Sequence, residues 1–349
     1  MMASPIVRPE AYDIYWRFTA ERHRVFEARL TGEAGPWTKD PILTRYKFCN
    51  VFRAADRVSQ HLIKSVAYLD DGATPADRAF RIMFARTFSK PATWDHLVEA
   101  MGRAPLIDDL ESGLLERELN ALRASGQTLY TGAFILCAND AYGRKIKHLN
   151  HVEMFRRIFV NSSVADRMLG AESLADLYSA IHSVPLMGDF MSYQIAIDLN
   201  YSELFDFDED DFTQPGPGAL RGIKKVFLDT SGWSPSDLIR WMVDRQETEF
   251  AERGLDFSGL FGRRIHAIDA QNLFCETDKY CREALPALKS ARSRIKATFT
   301  PNPTAVELFF PPKWGLGPKA VDPKSARQLV ESRTSARGRD PRALVSVGA

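Results

Sequence analysis

The segment Ser183-Val184-Pro185-Leu186-Met187-Gly188-Asp189-Phe190 most constrains what this chain can fold into. Leu174, Leu177, Tyr178 and Ile181 recur before it at helical spacing, and Phe190, Tyr193, Ile197 and Leu199 continue a helical pattern after it. Pro185 ends the first helix, because proline has no N–H to give the ladder. Gly188 is expected to take the positive φ that a sharp turn demands. The pattern predicts two helices joined by a tight hairpin at residues 183–190. Such a hairpin presents free backbone N–H groups and the start of a helix, which together suit a phosphate. An ordinary helix–turn–helix corner carries the same pattern.

Most of the remaining chain also reads as helix. Tyr12, Tyr15, Trp16, Phe18, Val25 and Phe26 form a broad apolar face over residues 9–30. Gly35-Pro36-Trp37-Thr38-Lys39-Asp40-Pro41 breaks that pattern as a loop, and a patterned segment follows over residues 42–69. Thr74-Pro75-Ala76-Asp77 and Ser234-Pro235-Ser236-Asp237 each place a hydroxyl cap, a proline and an acid where a helix starts. They open helices predicted over residues 75–88 and 238–253. Further helices are predicted from Thr93, over residues 106–124, 152–159 and 223–227, and over 268–280. Residues 214–222 are too rich in glycine and proline for a regular element and read as a fixed loop. Residues 127–137, with several β-branched and aromatic side chains, are the one candidate strand of the first half. The predicted fold class is all-α, as two helical lobes with a cleft. A helical domain is expected over residues 1–288 and a loosely ordered tail over 289–349, anchored in places by Phe309, Phe310 and Trp314.

The net charge of +1 hides an uneven distribution. Residues 198–211 carry seven acids (Asp198, Glu203, Asp206, Asp208, Glu209, Asp210, Asp211) and no base. From Lys289 to Arg342 there are 12 bases against 4 acids, which suits either a polyanion or a solvated tail. Arg45, Arg53 and Arg57 recur near helical spacing, as a phosphate-contacting ridge or a surface row paired with Asp56. Lys145, Lys147 and Arg221 are further candidates for phosphates. No apolar run approaches the roughly 20 residues that span a bilayer, and the first residues do not resemble a secretory leader. Cys49, Cys137, Cys275 and Cys281 form no CxxC pair, which points to free thiols and a cytoplasmic protein. No spacing of His, Cys and carboxylates predicts a metal, no cofactor is implied, there is no Walker-type phosphate loop, and no obligate protein partner is evident.

Three segments together resemble one family. They are Pro36-Trp37-Thr38-x-Asp40-Pro41-Ile42-Leu43 leading into Asn50-Val51-Phe52-Arg53-Ala54-x-Asp56-Arg57; Gly216-Pro217-Gly218-Ala219-x-Arg221-Gly222; and Gln271-Asn272-x-Phe274-Cys275-Glu276-x-Asp278-Lys279-Tyr280-x-Arg282. The combination resembles the helical domain of phage hydroxymethyluracil DNA kinases and the related α-glutamyl/putrescinyl thymine pyrophosphorylases. The hairpin resembles, in degenerate form, the helix-hairpin-helix of DNA glycosylases. The chain is also similar to a phage-defence DNA glycosylase that removes glucosylated hydroxymethylcytosine.

The resemblance implies a helix-hairpin-helix glycosylase-like fold and a double-stranded phage DNA partner with modified bases. Cleaving an N-glycosidic bond builds positive charge on the sugar, and a carboxylate beside it stabilises that charge. Asp208 lies 20 residues beyond Gly188, where such glycosylases place their catalytic Asp, with Asp210 and Asp211 as neighbours in an uncertain register. Asp198 is a further candidate, but near the end of the second hairpin helix it is expected rather to cap or to pair with an Arg. No lysine follows Gly188 in the hairpin, so the implied enzyme is monofunctional and leaves an abasic site. A base flipped from the stack needs aromatic walls and polar readers. Trp37, Tyr193, Phe212 and Tyr280 are candidate walls; Asn50, Gln194, Asn272, Glu276 and Lys279 are candidate readers. The expected activity is excision of a hypermodified base in anti-phage defence. The alternative is a base-modifying transferase or pyrophosphorylase acting on activated hydroxymethyluracil in DNA.

Overall fold

A computed structural model describes residues 3–132, 140–160, 163–288, 295, 297–300 and 308–316. In chain order the α-helices are α1 (Pro9–Leu30), α2 (Pro41–Arg45), α3 (Arg57–Leu62), α4 (Pro75–Phe88), α5 (Pro91–Met101), α6 (Asp108–Glu111) and α7 (Leu114–Ala124). They continue as α8 (Lys147–Phe159), α9 (Val164–Leu169), α10 (Leu174–His182), α11 (Asp189–Tyr201), α12 (Pro217–Val226), α13 (Pro235–Glu252) and α14 (Ala267–Ala284). Two short antiparallel strands, β1 (Ile6–Val7) and β2 (Phe227–Asp229), form the one sheet among the described residues and tie the N-terminal segment to the end of α12. The chain is all-α, as its periodicity predicts. No helix among the described residues is long and apolar enough to cross a membrane.

The capping signals explain several boundaries. Thr74 accepts from the Asp77 N–H at 3.1 Å, and Ser234 accepts from the Asp237 N–H at 3.1 Å. The helix expected over residues 106–124 is split, because Gly113 takes φ 74° between α6 and α7. Residues 127–132 form no strand, and 133–139 lie outside the described residues.

Helix α11 is buried continuously from Met191 to Tyr201. A helix buried on every side lacks the single apolar stripe of a surface helix, and the polar Gln194 and Asp198 of α11 find their partner Arg53 in the interior. Helix α11 packs against α10 across the corner at residues 183–188. The corner differs from the predicted hairpin. Leu186, not Gly188, takes the positive φ, at 81°. Gly188 has φ −76° and sits at the N-cap of α11.

The larger difference lies at Gly216-Pro217-Gly218. These residues are not a loop: Gly216 is the N-cap of α12 and Pro217 its first residue, where a missing N–H costs nothing. A Cβ on Gly218 would strike Cys275 Sγ, and one on Gly222 would strike the Phe274 carbonyl. The two glycines, one turn apart, are what lets α12 lie directly on α14. Arg221, Lys225 and Arg282 converge from these two helices on the buried Asp278 carboxylate.

Segments beyond residue 288 also join the core. Leu308 and Phe310 are buried. Lys313 reaches the carbonyls at the end of α11, including Ser202 at 2.9 Å, and Arg263 stacks on Trp314 at 3.8 Å. A cation here complements the carbonyl end of the helix dipole. Most of the basic tail lies outside the described residues.

Candidate functional site

A cavity of about 420 Å³ opens between α1, the loop before α2 and residues 43–48. Arg22, Val25 and Arg29 line it from one face of α1, at the i, i+3, i+7 spacing of a helical stripe. Trp37, Tyr46, Phe48 and Phe299 give it aromatic walls, and no carboxylate among the described residues lines it. Arg29 stacks on Trp37 at 5.1 Å, and Arg45 stacks on Tyr46 at 5.1 Å. Burial, and then the neighbouring Arg57 charge, hold the Arg29 guanidinium below its ordinary value. Positive charges crowded together in this way favour an anion among them. A second cavity on the other side of α1 has the opposite character, with Glu21, Glu27, Glu33, Asp40 and Asp256 among its walls.

The cavity walls are held from behind by α14. Tyr280 donates to Asp40 Oδ2 at 2.5 Å, while Asp40 Oδ1 caps α2 by accepting from the Ile42 and Leu43 N–H groups at 2.8 and 2.9 Å. Glu276 accepts from the Cys49 N–H at 3.0 Å and from Lys279 Nζ at 2.6 Å. Lys279 also donates to the Lys47 carbonyl at 3.3 Å. The loop carrying Trp37 is pinned by Arg24 on the Trp37 carbonyl and by Trp37 Nε1 on the Glu33 carbonyl, both at 2.7 Å. Asn50 accepts from Arg22 at 2.6 Å and donates to the Ala55 carbonyl at 2.8 Å. Of the expected base-contacting residues, only Trp37 lines the cavity. Glu276, Lys279, Tyr280 and Asn50 hold its walls, and Asn272 is half-buried on α14 outside its lining.

The other candidates are placed differently. Tyr193 and Gln194 are fully buried on α11, so neither faces a cleft. Arg53 does not join Arg45 and Arg57 on a ridge: those two are exposed, whereas Arg53 is buried and points inward. It donates to Gln194 Oε1 at 2.8 Å and to Asp198 Oδ1 at 2.7 Å. Arg86 grips the same Asp198 carboxylate, which is wholly buried and held below the usual carboxylate range by the two guanidiniums against the cost of burial. Asp198 therefore serves the interior rather than a DNA sugar. Arg221 is half-buried against Asp278 at 3.1 Å rather than turned out to a phosphate. Gly188 is followed by the exposed Asp189, which pairs with His182 at 2.9 Å and sets a negative charge at the start of α11. Lys145 is exposed, and Lys147 lies over the Tyr130 ring at 4.1 Å.

Asp208 and Asp210 meet His266 at the other end of α14. Asp210 accepts from the Ala267 N–H at 2.8 Å and lies 3.1 Å from His266 Nδ1. One ligating atom from each of Asp208, Asp210 and His266 falls within 4.8 Å of the others, a grouping that residue spacing did not predict because His266 is distant in sequence. Asp210 caps the N-terminus of α14, and that positive helix end opposes a bound cation. With about 1.5 Å of rise per helical residue, roughly 14 Å separates this corner from Glu276 behind the cavity, so the two are not one site.

Sequence reasoning missed Arg22 and Arg29, although their shared spacing with Val25 was visible. It also missed Asp56 as a support: Asp56 accepts from the Asn50 N–H at 2.9 Å, and burial pushes its carboxyl up to about 6. A folded pKa above the unfolded one favours folding most below about pH 4, and that contribution is lost as pH rises through about 6. The melting temperature of Asp56→Asn minus that of wild type should be most positive near pH 7.5 and fall toward pH 4.5. A difference that stays flat over that range would show that Asp56 is not held protonated by its surroundings.

The fold and this cavity define an all-helical protein with a cationic, aromatic-walled pocket. The chain belongs to the family of the 5-hmdU DNA kinase helical domain, whose model matches residues 9–290. It is 26% identical over 287 residues to the 5-hmdU DNA kinase of Bacillus phage SP10, covering 77% of this chain. The chain spans 44% of that relative's length. No solved structure matches it. These relationships overturn the glycosylase expectation, because the matched family and the relative both carry the name of a 5-hmdU DNA kinase and not of a glycosylase.

Proposed function

We propose that this chain is the base-engaging part of a DNA base-modifying transferase that acts on the hydroxymethyl group of a 5-hydroxymethylpyrimidine. The observation that carries the reading is that the family match over residues 9–290 contains the cavity's α1, Trp37 and Phe48 walls. In this reading DNA lies across the exposed Arg45 and Arg57, and Trp37 stacks on the extruded base. Arg22 and Arg29 hold a neighbouring phosphate. Aromatic stacking and guanidinium contacts are what a flipped nucleotide needs. The hydroxymethyl oxygen is the nucleophile toward a phosphoryl donor. The sequence contains no Walker-type loop to hold that donor, so base recognition is the step assigned to these residues.

The test is to incubate the purified chain with ATP, Mg²⁺ and a duplex containing 5-hydroxymethyldeoxyuridine, and then to analyse the digested nucleosides by mass spectrometry. The expected result is the hydroxymethyl nucleoside recovered without a phosphoryl group and with no abasic sites, because this sequence has no Walker-type loop for the donor. An added phosphoryl group would assign the transfer step to this chain as well. Formation of abasic sites would contradict the reading altogether.

A further inference from the structure

We infer that Phe299, which lies outside the family-matched residues, is a ligand-contacting wall of the Trp37 cavity and meets edge-on the base that stacks on Trp37. The inference rests on the reading that this cavity takes a base. Phe299 belongs to a short extended stretch strapped across residues 45–47. The Phe299 N–H donates to the Arg45 carbonyl at 2.9 Å, and the Lys47 N–H donates to the Ala297 carbonyl at 3.0 Å. Tyr46 and Thr298 form an antiparallel bridge between them. Backbone bonds on both sides of Tyr46 fix the strap's register, and a slip of one residue would turn Phe299 to the opposite face. The Phe299 ring stands edge-on to Trp37, with centroids 6.3 Å apart and an interplanar angle of 77°.

This ring is a wall and not a plug. About 420 Å³ stays open with Phe299 in place, more than a single pyrimidine ring needs. The walls within the matched region combine the guanidiniums of Arg22 and Arg29 with aromatic rings, Arg29 lying over Trp37. Phe299 adds a further ring from a different part of the chain. An edge-to-face contact with the pyrimidine ring does not require a hydroxymethyl group at C5, so Phe299 should strengthen binding of any extruded pyrimidine. Discrimination between bases would then come from the other walls.

The test uses the full chain and two probes, 5-hydroxymethyldeoxyuridine 5′-monophosphate and thymidine 5′-monophosphate, each free and within a duplex opposite a mismatched base. Affinity is read from tryptophan fluorescence and anisotropy for wild type, Phe299→Ala and Phe299→Tyr, with melting temperatures as the check on folding. Phe299→Ala should bind both pyrimidines about tenfold more weakly, and Phe299→Tyr should restore the affinity. The same loss for free nucleotide and duplex would place the effect on the base itself. Unchanged or tighter binding by Phe299→Ala would overturn the inference while leaving the cavity as a base site. Wild type that binds thymidine and the hydroxymethyl nucleotide equally would contradict the proposed substrate, and the weakened Phe299→Ala would still support the wall. Wild type that binds no pyrimidine in any form would overturn both.

Discussion

Asp198→Asn should unfold this protein far more readily than any change at its surface. Asp198 is 0% exposed, and the two guanidiniums it neutralises, Arg53 and Arg86, are 3% and 1% exposed. The asparagine keeps the shape and removes the only negative charge that the two side chains are shown to share. Breaking a buried ion pair from one side typically costs about 3–5 kcal/mol, because it leaves uncompensated charge where water cannot reach. Against a total stability of about 5–15 kcal/mol, that is a large fraction. Denaturant titration of the variant should show a midpoint lowered accordingly. A variant with wild-type stability would show that the two buried guanidiniums do not depend on this carboxylate.

Gly222→Ala should also be strongly destabilising, against the local rule. Alanine within a helix is ordinarily favoured over glycine by about 1 kcal/mol. At Gly222 the added methyl meets the Phe274 carbonyl of α14, and backbone cannot move aside as a side chain can. Overpacking of this kind costs about 1–3 kcal/mol or more, enough to reverse the propensity gain. Gly188→Ala is the matched control, since nothing lies within 4 Å of its Cβ position and its φ is −76°. It should change stability by less than about 1 kcal/mol, because the entropy gain in the unfolded chain is opposed by alanine's weaker fit at an N-cap. Equal effects at the two glycines would mean that α12 and α14 do not depend on close backbone approach.

These two positions show how far the sequence could be read. Helices α1, α4 and α13 were legible because their determinants are local: a stripe of apolar residues, or a Thr-Pro or Ser-Pro cap with an acid two residues on. The first turn of α12 was not legible, because Gly216-Pro217-Gly218 has the local composition of a loop. Its helical state depends on docking against Cys275 and Phe274, which is tertiary information. Arg53 failed for the same reason. Its spacing with Arg45 and Arg57 looked like a surface ridge, and only the folded chain brings Gln194 and Asp198 to its guanidinium. Trp37 was legible as an aromatic in a proline-rich loop. Arg22 and Arg29 were hidden among the many charges of α1, and Phe299 was hidden by its distance from the rest of the cavity. Glu276, Lys279 and Tyr280 were found for their residue types, but the structure places them behind the walls.

The central claim is that the Trp37 cavity holds a hydroxymethylated pyrimidine from DNA. Its most direct test compares the affinity of wild type and Trp37→Ala for two duplexes that differ only in carrying 5-hydroxymethyldeoxyuridine or thymidine at one position. Base stacking on an aromatic side chain is worth about 1–3 kcal/mol, so the account predicts that wild type prefers the hydroxymethyl duplex and that Trp37→Ala binds it about tenfold more weakly. Wild type that binds the two duplexes equally, or a Trp37→Ala variant that binds the hydroxymethyl duplex as tightly as wild type, would contradict it.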